Sequence, residues 1–200
     1  MDKIDKSDFR RVILETHSQF DYGIKQAKDS KIEESGFDSI VVCGMGGSQM
    51  PGYFLNSLIN TKGLPVFNHA NYGIPEKLTK KPLFIATSFS GNTEETLDSY
   101  ENIKKQGHSV IVFSNGGKLE ELARENNDVL VSYEIKDPNF QPRCATPMTT
   151  SAMATVLENS SLAQNAIADL QKTAGFLKEL KEEKLEKEGG QIAESIGDRI

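Results

Sequence analysis

Ser39-Ile40-Val41-Val42-Cys43-Gly44-Met45-Gly46-Gly47-Ser48 and Leu83-Phe84-Ile85-Ala86-Thr87-Ser88-Phe89-Ser90-Gly91-Asn92-Thr93 share one plan. Each begins with a short apolar, β-branched run and passes at once into a loop of glycines and hydroxyl residues. A strand with one wet face alternates apolar and polar side chains. These runs do not alternate, so both faces are expected to be buried, as in a parallel sheet. The loop that follows each run opens a helix, over Ser48–Ile59 and Thr93–Lys105, with Pro51 tolerated in the first turn of the former. Working outward, Pro65–Asn68, Val110–Phe113 and Val129–Tyr133 repeat the short strand, and Leu119–Asn126 supplies a further helix. Strands alternating with helices predict an α/β protein, a three-layer α/β/α sandwich around a five-stranded parallel sheet.

Outside this unit the pattern changes. Asp8 to Lys28 carries Phe9, Val12, Ile13, Phe20 and Ile24 at helical spacing, with Ser7 as a plausible N-cap. Lys136 to Pro147 holds three prolines without periodicity and reads as a loop. Met148 to about Leu170 is an apolar, alanine-rich helix, Leu177 to Glu188 a charged one ended by Gly189-Gly190, and Ile192–Ile196 a last half-buried turn. The expected division is a globular domain over 1–175 and a helical linker over 176–200.

The chain has 200 residues, 37% hydrophobic and 26% charged, the composition of a soluble globular domain. A net charge of -6 with basic residues interleaved among acids, as in Lys178–Lys187, argues against nucleic acid, which needs a clustered basic face. No run approaches the ~20 apolar residues of a membrane span, and the charged start lacks a signal core. Cys43 and Cys144 show no metal spacing, and His17, His69 and His108 are scattered, so neither a metal nor a disulfide is expected. A cytoplasmic protein is the expectation.

In an open parallel sheet, ligands bind beyond the carboxyl ends of the strands, where the strand order reverses. The loops after the first and third strands therefore come first. Gly44-Met45-Gly46-Gly47-Ser48 lets backbone N–H groups face a ligand, and Ser48 opens a helix whose start favours an anion; the alternative is a tight strand-to-helix turn. It is not a dinucleotide fingerprint, because the third glycine of G-x-G-x-x-G falls on Gln49, and the second strand ends in Asn68-His69 without a ribose-binding acid. Ser88, Ser90 and Thr93 put three hydroxyls on the other loop. A capped turn needs one; three suit a phosphate monoester held without fixed positive charge.

Gly44–Ser48 and Ser88–Glu95 resemble the two signature loops of the sugar isomerase (SIS) domain. Gln141-Pro142-Arg143-Cys144-Ala145 is similar to a proline-arginine segment of the bifunctional phosphoglucose/phosphomannose isomerases. The resemblance covers roughly Ile40 to Leu157. It implies a flavodoxin-like strand order, 2-1-3-4-5, and the N-terminal half of such an enzyme. It also implies that Ser48, Ser88, Ser90 and Thr93 bind phosphate, that Gly46 and Gly47 line the sugar, and that Arg143 stabilises an enediolate. The implied activity is cofactor-free aldose–ketose isomerisation of hexose 6-phosphates by a homodimer, with a glutamate and a histidine contributed by a second domain. Two positions depart from the pattern: Gln49 stands where a small residue is usual, and Thr146-Pro147 replaces a small, glycine-containing stretch. Local substitutes for the base read as structural: Glu94 and Glu95 as first-turn acids, His17, His69 and His108 as scattered surface or packing residues. The alternatives are a non-catalytic sugar-phosphate-binding module and another SIS-type enzyme, such as a phosphoheptose or amino-sugar phosphate isomerase.

Overall fold

The computed structural model describes residues 6, 8–135 and 140–197. Every residue of Ser39–Cys43 (β1), Pro82–Ser88 (β3) and Val110–Ser114 (β4) is buried, as unbroken apolar runs require. Val66–His69 (β2) and Val129–Ser132 (β5) are more exposed and form the edges. All pairings are parallel and the order is β2-β1-β3-β4-β5. Ile40 pairs with Val66 on one side and with Leu83 on the other.

The period of two along each strand sorts the core into two layers. Ile40, Val42, Leu83, Ile85, Ile111 and Phe113 face one way. They pack on the helices Thr16–Ala27 (α1), Met50–Leu58 (α2), Thr146–Asn159 (α3) and Ala166–Leu180 (α4). Val41, Cys43, Phe84, Ala86, Val110 and Val112 face Tyr100 and Ile103 of Glu94–Lys105 (α5) and Leu119 and Ala123 of Gly117–Glu125 (α6). Each large side chain buried here stabilises the sandwich by about 1.5–3 kcal/mol.

The N-terminal helix is two helices rather than one. Phe9–Leu14 (α7) stops at Glu15, which leaves helical geometry with φ -94 and ψ 9, and α1 restarts at Thr16. The Thr16 hydroxyl donates back to Val12 O at 3.2 Å and Ser18 Oγ to Glu15 O at 2.7 Å, side-chain bonds that compete with the helical ladder. Ser7 lies outside the described residues; the position before the first helix is Asp8, in the left-handed region.

Four further expectations give way. The loop 136–147 is shorter than its prolines suggest, because Pro142–Ala145 forms a 3-10 turn and α3 begins at Thr146, where Pro147 fits the first turn; residues 136–139 lie outside the described set. The helix expected over Met148–Leu170 ends at Asn159, and the chain reverses through Ser161 and Asn165, both at positive φ, before α4 starts. Ser160 Oγ bonds to Val156 O at 2.6 Å and Glu158 Oε2 accepts Ile167 N–H at 2.8 Å, so side chains close one helix and cap the next. Gly189-Gly190 do not break the last helix: Glu186–Gly197 (α8) runs through both, after a π-helical turn at Lys181–Leu185. Glycine costs a helix only ~1 kcal/mol relative to alanine and keeps its N–H, unlike proline. Ile192 and Ile196 are 58% and 51% exposed, so the expected half-buried turn is an exposed helical face.

α1 reaches α3 through Gly23. A Cβ there would stand 2.1 Å from Met148 O and 2.2 Å from Ser151 Oγ. That contact fixes the start of α3, just after the turn that carries Arg143. Gly23→Ala is expected to destabilise the protein by about 1–3 kcal/mol despite the better helix propensity of alanine. Urea unfolding reads this as a lower midpoint at an unchanged slope.

Candidate functional site

β1 and β3 are neighbours, yet the helices that follow them leave on opposite faces of the sheet. Their first turns therefore face each other across a gap at the carboxyl ends of the strands. Gly44 lets the first loop enter this gap: a Cβ there would lie 2.9 Å from Thr87 O. Gly46, at φ +55, then turns the chain into the 3-10 turn Gly46–Gln49 that leads α2. Ser48 Oγ accepts Phe89 N–H at 3.2 Å, so the two loops are joined directly.

The second loop is held from behind. Gly91 sits at φ +68 and a Cβ on it would be 1.8 Å from Gly116 O. Ser88, only 1% exposed, shares a 2.8 Å hydrogen bond with Thr93 Oγ1 and accepts Gly91 N–H at 3.1 Å. Asn92 Oδ1 accepts Lys118 N–H at 3.0 Å. Thr93 is the N-cap of α5 without a side-chain capping bond, so the first N–H groups of that helix are left for another partner.

Between the loops lies a cavity of about 500 Å³. Gly47 and Ser48 line it from the first loop, Ser90 and Thr93 from the second, and Arg143 from the 3-10 turn. Met45, Phe89, Gln141 and Pro142 complete the wall. The approach of the third segment is close, since a Cβ on Gly47 would be 3.3 Å from Arg143 Cα. Arg143 is exposed, and among the described residues no carboxylate pairs with its guanidinium. A loop arginine held by a surface acid is thus not what the structure contains.

Of the seven residues singled out in the sequence, five meet at this cavity: Gly47, Ser48, Ser90, Thr93 and Arg143. Two do not line it. Gly46 is an exposed turn residue, and the buried Ser88 spends its hydroxyl on Thr93 and Gly91. Ser88 therefore orients a hydroxyl that lines the site. The other titratable residues considered lie elsewhere. His69 Nε2 contacts Tyr72 O, His17 Nδ1 contacts Leu14 O, and His108 packs on Phe84 with ring centroids 5.2 Å apart. Desolvation and the charges of Glu94 and Glu95 push the Tyr72 phenol up, and neither acid lines the cavity. The thiol of Cys43 is pushed up to about 12 by burial and stays protonated. Among the described residues no group of three or more His, Cys, Asp or Glu could hold a metal, and no helix is long and apolar enough to cross a membrane.

Met45 and Phe89 sit inside the quoted loops and line the cavity without any signal in the sequence, because the fold alone sets which way they face. The Gly91 contact yields a test of the loop's rigidity. Gly91→Ala must relieve a clash with backbone in a left-handed conformation, and is expected to cost about 2–5 kcal/mol, measured by chemical denaturation.

No family model matches the chain. It is 29% identical over 162 residues to a bifunctional phosphoglucose/phosphomannose isomerase of Caldicellulosiruptor bescii, covering 80% of this chain and 47% of that protein. It is 33% identical over 153 residues to one of Thermoplasma acidophilum, covering 76% of this chain and 44% of that protein. The chain thus spans less than half the length of these relatives. Among solved structures, a phosphosugar isomerase candidate of Clostridium difficile 630 superposes with a TM-score of 0.64 at 17% identity, over 92% of this chain and 56% of that one. The chain is homologous to part of the bifunctional phosphoglucose/phosphomannose isomerases and carries the sugar isomerase fold.

Proposed function

We propose that the cavity between the two loops binds a hexose 6-phosphate and that the chain forms part of an aldose–ketose isomerase. The observation that carries this reading is the meeting, in one cavity, of Ser48, Ser90 and Thr93, a helix start without a side-chain cap, and an arginine that no described carboxylate pairs with. The phosphate sits against the hydroxyls of Ser48, Ser90 and Thr93 and the first N–H groups of α5. Charge-assisted bonds of this kind contribute about 1.5–3 kcal/mol each. They explain how a protein of net charge -6 holds a dianion. The sugar carbons then extend past Gly47 toward Arg143. There the guanidinium stabilises the negative charge that develops on a cis-enediolate.

Isomerisation also needs a base to move a proton between adjacent carbons and an acid/base to open the ring. None of the described residues lining the cavity is a carboxylate or an imidazole. The proton-transfer groups therefore come from outside this wall, supplied by a partner chain or by the half of the relatives' length that this chain does not span. A homodimer, a cytoplasmic setting in glycolysis or gluconeogenesis, and the division into a binding domain over 1–175 and a linker over 176–200 belong to the same proposal. The exposure of α8 along residues 187–197 supports the linker.

The missing base also favours a second reading, a binding module without turnover. Incubating the purified chain with fructose 6-phosphate separates the two, since any glucose 6-phosphate formed contradicts the module. For the binding claim itself, calorimetry with fructose 6-phosphate is the test. Ser90→Ala combined with Thr93→Ala should weaken binding by at least about tenfold, and unchanged affinity would refute the phosphate assignment.

A further inference from the structure

Behind the cavity wall lies a second, smaller chamber of about 10 Å³, with Ser48 and Phe89 on one side and Pro142, Thr146 and Thr149 on the other. Tyr133 lines it too. This residue follows β5, is 4% exposed, and does not reach the main cavity. Its backbone is fixed, because its N–H donates to Ser114 O at 2.9 Å. Its hydroxyl is buried and has no hydrogen-bond partner among the described residues. Thr149 stands close enough to act on the phenol, but the two form no bond of good geometry.

We propose that Tyr133 binds one water molecule in this chamber and through it positions the turn carrying Arg143 against the Gly47–Ser48 turn. The volume is that of about one water. A buried water needs two to four polar partners, and the walls offer them. Burial keeps the Tyr133 phenol protonated and able to donate. Ser48 Oγ accepts Phe89 N–H and keeps a second lone pair to accept from the water, which leaves its proton for the phosphate. Thr149 and Thr146 lie on the other side, and Thr146 Oγ1 donates to Arg143 O at 3.1 Å. One water would thus join Tyr133, the first loop and the start of α3, and hold the Arg143 backbone through Thr146. Without it the phenol would stand desolvated and unpaired, at a cost natural interiors rarely accept.

The consequence for ligand binding rests on the proposed function, in which Arg143 meets the sugar and not the phosphate. Tyr133 is then a positioning residue: its loss should touch sugar recognition and spare the phosphate contacts. A high-resolution crystal structure of the unaltered protein should show one water about 2.7–3.0 Å from Tyr133 Oη. Tyr133→Phe should lower Tm by a few degrees and weaken fructose 6-phosphate several-fold, with the affinity for inorganic phosphate unchanged. A direct Tyr133–Thr149 bond with no water overturns the proposal. So does a Tyr133→Phe variant with equal or higher Tm, because removing an unpaired phenol is neutral or stabilising. If fructose 6-phosphate binds neither protein, the functional reading fails, while the crystal density and the melting curves still decide the water.

Discussion

Two helices that leave adjacent parallel strands toward opposite faces must open a gap between their first turns. β1 and β3 are the strands, and the gap is the candidate site. Everything functional follows from keeping that gap narrow. The Ser48 hydroxyl crosses it to hold Phe89 N–H, Gly44 places no Cβ against Thr87, and Gly91 lets the second loop rest on Gly116 behind it. The backbone, not a charged side chain, sets the shape of the site.

That construction explains the electrostatics. An acidic chain attracts no anion over a distance. The proposed phosphate site would therefore work at contact range, through N–H groups and hydroxyls already placed by the fold. Ser88 shows how much of the loop serves this purpose: buried and paired with Thr93 Oγ1, it spends its own hydroxyl on orienting a neighbour's. Among the described residues that line the cavity Arg143 alone carries a full positive charge, and no described carboxylate pairs with it. A guanidinium with no carboxylate to leave is preorganised for charge that appears only during reaction.

Most of this was legible in the sequence, for reasons that also mark the limit. The strands declared themselves to within a residue or two because burial on both faces leaves an unbroken apolar run, as in Ser39–Cys43. The loops declared themselves because three glycines or three hydroxyls exceed what a turn requires. Which hydroxyls face outward was not legible: Ser88 and Ser90 look alike in a string, but Ser88 is the last, buried residue of β3 and Ser90 stands in the loop beyond it. The resemblance implies that Ser88 binds phosphate, whereas in the structure its hydroxyl bonds to Thr93 Oγ1 and Gly91 N–H. The C-terminal helices were misjudged for a different reason. Gly189-Gly190 reads as a stop, but weak propensity does not forbid a helix, and the irregular turn falls at Lys181–Leu185 instead. Tyr133 reads as the end of a strand in the sequence and gives no sign of lining a chamber with Ser48 and Phe89, because that meeting is set by the tertiary fold.

The most direct test is a crystal structure of the chain soaked with fructose 6-phosphate. The account predicts the phosphorus within bonding reach of the Ser48, Ser90 and Thr93 hydroxyls and the first N–H groups of α5, with the sugar chain running toward Arg143. A phosphate bound elsewhere, or a sugar lying away from Arg143 with the gap closed, would contradict it.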